Sequence, residues 1–474
     1  MNQMRIYPIV IILSLFALDG CSPSGEAEKP NIIYILADDL GYGDLSCYGQ
    51  EKFDTPNIDR LAKEGIKLTQ HYSGSTVCAP SRSTLITGQH TGHTPVRGNR
   101  EHKPEGQWPL PASSPSMAKM FNTAGYATGA FGKWGLGYPN SEGDPIARGF
   151  DIFYGYNCQR NAHHYYPQYL YHNNDKVILE ENAGGERGLY APHLIHRQAL
   201  KFIEDHRDQP FFLYYPNVIP HAELVAPEEY MEKYRGKFLP EKSYKGIGFN
   251  HPRYIGGGYG PQPEGHAAFA AMINLLDDQV GEILDKLEAL GIADNTLVIF
   301  TSDNGPHPAA GADPKYFNSN GGLRGIKRDL YEGGIRVPMV ARWPGKIEAG
   351  TVSDHISAFW DMLPTFAEIV AQPVPGETDG ISMLPAMTGE GVQEQHRYMY
   401  WEFHERGGRQ AVRMGKWKGV RYNVKKHPDG PVELYNLETD PKEQANLAGE
   451  HPDIATELTE ILMSARTESE VFHF

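Results

Sequence analysis

The sequence predicts an α/β fold, with a sheet flanked by helices on both faces and a small C-terminal α+β domain. Three short, nearly unbroken apolar runs are typical of strands covered on both faces: residues 31–37, 211–215 and 296–300. Before the last of them, residues 269–290 carry apolar side chains at steps of three and four, as an amphipathic helix does. Buried strands that alternate with such helices form α/β sheets.

Acidic residues follow two of these predicted strands. Asp38 and Asp39 come directly after residues 31–37, and Asp303 and Asn304 follow the third run. Ligands of α/β sheets bind at the carboxyl ends of strands, so these side chains indicate a site there. Paired acids at strand ends also cap helices, and that is the default interpretation of an isolated pair.

The pattern of apolar residues in the sequence changes at about residue 385. We expect a large domain over residues 31–385 and a small one over residues 386–474. In the small domain, segments 398–401 and 432–435 are typical of half-exposed strands, and a helix is expected near residues 454–465.

Composition and charge exclude several classes of protein. Hydrophobic residues make up 40% of the chain and charged residues 22%, which excludes disordered, collagen-like and coiled-coil proteins. The 44 lysines and arginines against 59 acidic residues give a formal net charge of −15, which disfavours a protein that grips nucleic acid over a broad face. Four cysteines in 474 residues are too few for a disulfide scaffold.

Residues 1–20 are typical of an export signal. Arg5 supplies the positive start, and the apolar run after it is too short for an ordinary transmembrane helix. The Leu-Asp-Gly-Cys tetrapeptide that ends at Cys21 resembles a bacterial lipobox, although Asp19 departs from the small or apolar residue usual there. Residues 21–30 form a polar linker. We expect a periplasmic protein or a lipoprotein anchored through Cys21, with export without a lipid as the alternative.

The most informative segment is residues 78–88, CAPSRSTLITG. Pro80 and Ser81 suit a helix start, so Cys78 would lie where free backbone N–H groups and the helix dipole favour anions. Arg82 is one turn further on and can point back toward the same place. A buried structural cysteine is the alternative.

This pattern, C-x-P-S-R followed by S-x-L-x-T-G, resembles the signature of formylglycine-dependent (type I) sulfatases, an arylsulfatase-like family of the alkaline phosphatase superfamily. In that family a formylglycine-generating enzyme oxidises the cysteine to an aldehyde, and the hydrate of the aldehyde is the nucleophile. The resemblance covers nearly the whole mature chain. It implies a large mixed sheet like that of alkaline phosphatase, a catalytic domain over residues 31–385, and hydrolysis of sulfate esters.

Other segments resemble further motifs of the family. Residues 125–134 contain Lys133, residues 323–327 contain Lys327, and His221 follows a proline as in the family's substrate-binding segment. The acids at the two strand ends resemble its metal motifs, and because they offer only oxygen ligands they favour Ca²⁺, and less readily Mg²⁺. The predicted metal ligands are Asp38, Asp39, Asp303, Asn304 and the modified Cys78.

A sulfate ester requires fixed positive charge around the transferring group and an acid for the departing oxygen. Compact lysine ammonium groups suit sulfate oxygens, and a histidine changes charge near neutral pH. The predicted catalytic residues are Cys78, Arg82, Lys133, His221 and Lys327. The predicted substrate-binding residues are Arg160, His163, His307, Arg324 and His404.

One position departs from the family pattern. Gly135 stands where the family usually has a histidine that hydrogen-bonds the formylglycine, and His163 or His164 is the predicted substitute. Cys47 and Cys158 are left over, either as a disulfide pair or as two free thiols.

Compartment and family analogy together predict a sulfated sugar or oligosaccharide as substrate, of the galactose or N-acetylgalactosamine type, and no nucleic acid partner. A phosphomonoesterase or phosphodiesterase of the same superfamily is one alternative, although it would prefer serine or threonine and zinc-type ligands. A non-catalytic glycan-binding lipoprotein is the other, favoured only by Gly135.

Overall fold

The computed structural model describes Met1 and residues 29–474. Apart from Met1, the predicted export signal and the lipidation site Cys21 lie outside the described residues. Within the described part, no helix has both the length and the apolar character needed to cross a membrane.

The strands and helices have the following bounds. In chain order the strands are β1 (Asn31–Ala37), β2 (Ile66–Leu68), β3 (His71–Tyr72), β4 (Ala127–Lys133), β5 (Ile152–Tyr156), β6 (Tyr169–His172), β7 (Asp175–Ile178), β8 (Phe211–Pro216), β9 (Thr296–Ser302), β10 (Met339–Arg342), β11 (Thr351–Ser353), β12 (Ser357–Ala358), β13 (Met399–Phe403), β14 (Arg409–Met414), β15 (Trp417–Tyr422) and β16 (Glu433–Asn436). The helices are α1 (Pro56–Lys63), α2 (Cys78–Thr87), α3 (Met117–Thr123), α4 (Ala191–Asp205), α5 (Glu228–Tyr234), α6 (Pro252–Ile255), α7 (Gly265–Ala289), α8 (Glu332–Ile335), α9 (Met362–Ile369), α10 (Leu384–Thr388) and α11 (Pro452–Ser464).

A ten-stranded mixed sheet forms the centre of the molecule, in the order β11-β2-β10-β9-β1-β8-β4-β5-β6-β7. The strands from β9 to β5 are mutually parallel, while β10 is antiparallel to β9 and β6 is antiparallel to β5. The three apolar runs of the sequence are β9, β1 and β8, which lie side by side. The predicted α/β class with a large mixed sheet is confirmed.

Helices cover both faces of this sheet. Ile33 and Ile35 of β1 pack into one core cluster with α7, whereas Ile32 and Tyr34 pack into a second cluster with α2 and α9 on the other face. Full burial of such side chains stabilises a fold by about 1.5–3 kcal/mol each. This two-sided burial explains why the strands have unbroken apolar sequences instead of alternating ones.

The C-terminal sheet is antiparallel, in the order β13-β14-β15-β16. Met399, Trp401 and Phe403 of β13 pack into a core cluster with residues of β3 and α8, and Tyr400 packs on the opposite face, against α11. The expectation of a half-exposed strand at residues 398–401 is therefore wrong, because both faces of β13 are covered. The division at residue 385 stays a prediction.

Within residues 29–474, no two cysteines form a disulfide. Cys47 is half-buried and Cys158 is buried, and both are free thiols. Of the two alternatives left by the sequence, the structure has the unpaired one, and Cys78 is a free thiol as well.

A buried ion-pair network connects the C-terminal sheet to α8 and to β3, which pairs with β12 in a separate two-stranded sheet. The Nζ atom of Lys418, on β15, lies 2.8 Å from Oε1 of Glu332 and 3.0 Å from Oε1 of Glu443, and all three side chains are fully buried. The hydroxyl of Tyr72, on β3, donates to Oε2 of Glu332 at 2.6 Å. One ammonium group thus contacts two carboxylates, one from the start of α8 and one from the loop after β16.

Replacing Lys418 with methionine is expected to destabilise the fold by about 3–5 kcal/mol, since it leaves buried Glu443 without a cation and Glu332 with only the Arg336 guanidinium, 3.5 Å away. Urea denaturation of the purified variant measures this. Lys416→Met is the matched control, because Lys416 is exposed two residues earlier, and it should stay within about 0.5 kcal/mol of the parent. Equal stability of the two variants would contradict the compensating role of Lys418.

Candidate active site

The ends of two central strands bring the acidic residues together. In the parallel pair of β1 and β9, Ala37 lies opposite Ser302, so the residues that follow both strands meet at one edge. The backbone N–H of Asp39 donates to Oδ1 of Asp303 at 3.1 Å, and the Asn304 side-chain amide donates to Oδ1 of Asp39 at 2.6 Å. These side chains are all buried.

Cys78 is the first residue of helix α2, as the sequence predicts. All ten residues of this helix are buried. The Cys78 thiol donates to Oδ1 of Asp38 at 3.5 Å, and Nζ of Lys327 lies 3.6 Å from the sulfur. The helix start therefore holds residue 78 against the carboxylates at the strand ends.

Three buried cations match the three carboxylates. The Arg82 guanidinium donates to Oδ2 of Asp303 at 2.8 Å. Lys133, at the end of β4, lies 2.5 Å from Oδ2 of Asp38, and Lys327 lies 2.7 Å from the Asp39 carboxylate. The charges of these six groups sum to zero.

Burial and these pairs determine the protonation states. Burial raises the pKa of the Cys78 thiol to about 12, and the Asp38 charge adds to the effect. Burial acts to raise the pKa of Asp38, but Lys133, His221 and Arg82 together outweigh it and the pKa is lowered to about 2. An unmodified Cys78 is therefore a neutral thiol near pH 7, which is a weak nucleophile.

His221 faces this centre from the loop after β8. Its Nε2 atom lies 3.5 Å from Oδ2 of Asp39, and its Nδ1 donates to the Ala222 carbonyl at 2.5 Å. Burial and the charge of Lys327 lower the pKa of His221 well below its usual range. The rings of His163 and His307 lie on either side, with centroids 5.2 Å and 5.6 Å from that of His221.

A cavity of about 180 Å³, here called the catalytic cavity, opens over these groups. Its wall includes the predicted residues Asp39, Cys78, Lys133, Arg160, His163, His221, His307 and Lys327. Asp38, Arg82, Asp303 and Asn304 lie directly behind them, through the contacts given above. The structure thus brings together most of the predicted site.

Two predicted substrate-binding residues lie outside this cavity. Arg324 donates to the Tyr435 hydroxyl at 3.0 Å and stacks over the ring of Tyr331, so it ties the small sheet to the large domain. His404 pairs with Glu402 at 2.9 Å and stacks on the C-terminal Phe474. Both side chains are occupied by contacts within the protein.

Other wall residues were missed by the sequence analysis, among them Asn99, Gln107, Gln159, Tyr259 and Arg328. They belong to separate loops and to no motif, so the single sequence carries no signal for them.

The space beside Gly135 is occupied by Gln159. A Cβ atom added at Gly135 would lie 2.8 Å from Nε2 of Gln159, and the φ angle of Gly135 is +80°. Of the two predicted substitutes, His163 faces the catalytic cavity, whereas His164 lines a different one.

The residues present fit a divalent cation. One ligand atom each from Asp38, Asp39, Cys78 and His221 lies within 4.8 Å of the others. The side-chain oxygen of Asn304 is buried and has no hydrogen-bond partner among the described residues. A cluster of carboxylate oxygens with one unpaired amide oxygen suits a hard cation such as Ca²⁺.

Protein-family models and known enzymes match most of the length of this chain. Residues 30–371 match the family described as Sulfatase, and residues 325–468 match the one described as N-sulphoglucosamine sulphohydrolase, C-terminal. An N-acetylgalactosamine-6-O-sulfatase of Bacteroides thetaiotaomicron is 29% identical over 556 residues, which cover 98% of this chain and 99% of the relative. The N-acetylgalactosamine-6-sulfatase of Rattus norvegicus is 31% identical over 450 residues, which cover 88% and 75%.

The fold has close counterparts among solved structures. Ps i-CgsB, solved in complex with k-i-k-neocarrahexaose, superposes with a TM-score of 0.76 at 28% identity, covering 92% of this chain and 93% of that one. This likeness agrees with the mixed sheet and the separate C-terminal sheet.

Proposed function

Because the chain belongs to the sulfatase family and is a sulfate ester hydrolase, we propose that it removes sulfate from carbohydrates through an aldehyde made from Cys78. The observation that carries this proposal is the position of Cys78, between three carboxylates and three cations at the start of a buried helix. A thiol whose pKa is raised to about 12 is a weak nucleophile there, whereas a hydrated aldehyde offers two hydroxyl groups.

The local charges support a metal-assisted reaction on an anion. Arg82, Lys133 and Lys327 only balance the carboxylates that they contact, so the bare site has little attraction for sulfate. A bound Ca²⁺ would add two positive charges and polarise oxygens next to residue 78. Its proposed ligands are Asp38, Asp39, Asp303, Asn304 and residue 78.

The side chains around the cavity have separate roles in the proposed reaction. Lys133 and Lys327 line the catalytic cavity and bind the sulfate oxygens, and Arg82 stabilises the oxyanion form of residue 78. His221 donates a proton to the departing sugar oxygen from Nε2, since its Nδ1 is held by the Ala222 carbonyl. A sulfate in the cavity places negative charge beside the ring, which favours its protonated form and acts to raise its lowered pKa.

The proposed substrate is an N-acetylgalactosamine-type or galactose-type sugar sulfate. Two relatives that cover most of the chain have names that specify N-acetylgalactosamine 6-sulfate, and the solved neighbour is in complex with k-i-k-neocarrahexaose. The cavity offers charged and amide groups suited to such a ligand.

We also propose export, directed by residues 1–20, with maturation by a formylglycine-generating enzyme and a lipid anchor at Cys21.

The test uses protein from a host that can produce formylglycine. Mass spectrometry of the Cys78 peptide should show a loss of about 18 Da relative to the thiol form. Sulfate and phosphate release are then compared on the same sugar alcohols. Sulfate release by protein that carries the aldehyde supports the proposal, and faster phosphate release would favour a phosphatase.

Removing the metal is expected to lower both activity and thermal stability. A ligand at 100 times its Kd stabilises the native state by about 2.7 kcal/mol, and EDTA removes that contribution. Differential scanning fluorimetry and a sulfate assay before and after chelation measure the two effects, with excess Ca²⁺ to restore them. Asp39→Asn serves as the control, because its melting temperature should respond less to EDTA. An unchanged melting temperature and activity in the parent protein would contradict the calcium site.

A further inference from the structure

Two more cavities continue from the catalytic cavity along the same surface. The middle cavity, of about 290 Å³, shares Glu101 and Arg160 with the catalytic cavity. The distal cavity, of about 160 Å³, shares Asn161, Tyr169 and Ile255 with the middle one. Together the three form one row, here called the groove, that leads away from Cys78.

The charge available to a ligand falls along the groove. In the middle cavity the arginine and the lysine are both neutralised, Arg160 by Glu101 and Lys176 by Glu105, the latter at 3.2 Å. The distal cavity has no aspartate, glutamate, lysine or arginine among the described residues of its wall. The described wall of the distal cavity therefore offers no charge to an anionic group, and the nearby Arg187 guanidinium is not part of that wall but packs over the ring of Tyr166, 4.7 Å from its centroid.

The distal cavity instead has groups suited to an uncharged sugar. His164 is only 5% exposed, and neither of its ring nitrogens has a partner among the described residues. Burial lowers its pKa to about 4, so near pH 7 one nitrogen donates and the other accepts, as a sugar hydroxyl requires. The ring of Tyr254 packs edge-on against His164, with centroids 4.5 Å apart.

An apolar side chain lies at the junction of the middle and distal cavities. Ile255, the last residue of α6, is 52% exposed although it is a large hydrophobic residue. It offers apolar surface on which the C–H face of a sugar can pack, next to Tyr169, one face of whose ring carries the Lys176 ammonium 4.0 Å from its centroid.

We infer that the groove binds a glycan whose sulfated unit enters the catalytic cavity and whose next two units carry no sulfate. This inference rests on the proposed function and specifies its substrate class, a sparsely sulfated oligosaccharide. Neutral inner units gain contacts with His164 and Ile255. Among the described residues on the walls of the middle and distal cavities, a sulfate on an inner unit finds no unpaired cation, so it loses hydration without a compensating partner there.

The test compares a monosaccharide with trisaccharides. The substrates are N-acetylgalactosamine 6-sulfate, neutral trisaccharides that carry this unit at either end, and the same trisaccharides with sulfated inner units. For one orientation, kcat/KM of the neutral trisaccharide is expected to exceed that of the monosaccharide by about tenfold, the equivalent of one or two added contacts. The trisaccharides with sulfated inner units should lose this advantage.

Two variants locate the effect in the groove. His164→Ala and Ile255→Ser are each expected to lower kcat/KM for the neutral trisaccharide by about fivefold and to leave the monosaccharide unchanged. Val352→Ser is the matched control, since Val352 is 61% exposed on β11 and lies outside the groove. Melting temperatures confirm that all three variants are folded.

The outcomes separate the two proposals. Sulfate release from the monosaccharide without a gain on any trisaccharide overturns the groove and leaves the sulfatase activity intact. A gain that survives both variants also overturns it. No release from any of the substrates by protein with the Cys78 aldehyde overturns the proposed substrate, and the groove with it.

Discussion

Replacing Cys78 with serine is expected to abolish sustained turnover, with kcat lowered by at least about 10⁴-fold, as for loss of other catalytic nucleophiles. The reason is chemical: a serine oxygen can accept the sulfuryl group, but it has no second hydroxyl whose deprotonation expels the sulfate. Stability should change by less than about 1 kcal/mol, because the serine hydroxyl can still donate to Asp38 as the thiol does at 3.5 Å. Steady-state sulfate release and urea denaturation measure the two quantities.

Cys47→Ser is the control for this experiment. Cys47 is a half-buried free thiol outside the catalytic cavity, so its replacement should leave turnover unchanged. Undiminished multiple turnover by Cys78→Ser would refute the aldehyde chemistry. A large loss of stability would instead show that residue 78 serves packing, the structural alternative suggested by the sequence.

The central fold could be predicted from the sequence because its signals are local. Runs such as residues 31–37 are apolar throughout because helices cover both faces of the sheet, and the acids that follow them must then meet at one edge. Helix α2 was predictable for the same reason, since Cys78 and Arg82 lie within one turn.

The predictions that the structure does not support concern residues whose contacts are made with partners far away in the sequence. Arg324 lies in a recognisable motif, but the Tyr435 hydroxyl and the Glu443 carbonyl, more than a hundred residues further on, engage its guanidinium. The network around Lys418 has the same character, because no spacing connects a lysine on β15 to Glu332. Such contacts follow from tertiary packing, for which one sequence contains no pattern.

The net charge of the whole chain disfavours an anionic ligand, whereas the proposed function requires one. The structure explains how both can hold. A net charge of −15 repels an anionic glycan over long distances, but at physiological salt such interactions are screened beyond roughly 8 Å. Inside the catalytic cavity the buried cations balance the carboxylates, so a bound metal ion would supply the net positive charge. Because the site is buried, that charge would act on the sulfate with little screening by salt. Binding should therefore depend strongly on the metal and weakly on the surface charge.

Replacing His221 with alanine is expected to affect substrates according to their leaving groups. For a sugar sulfate, the departing alkoxide needs a proton, and loss of a general acid should lower kcat by about 10²–10⁴-fold. Nitrophenyl sulfate releases a phenolate that scarcely needs protonation, so its kcat should fall by less than about tenfold. Steady-state kinetics with both substrates give the ratio.

Two features of the structure make this ratio a specific test of His221. Its Nδ1 is fixed on the Ala222 carbonyl, so Nε2 is the atom that can reach the substrate. His172→Ala, at an exposed histidine of β6, controls for the loss of a ring and should change neither substrate. If His221→Ala slowed both substrates equally, the ring would be acting in binding or on the metal, and the proton would have to come from another group, of which His163 and His307 are the nearest candidates.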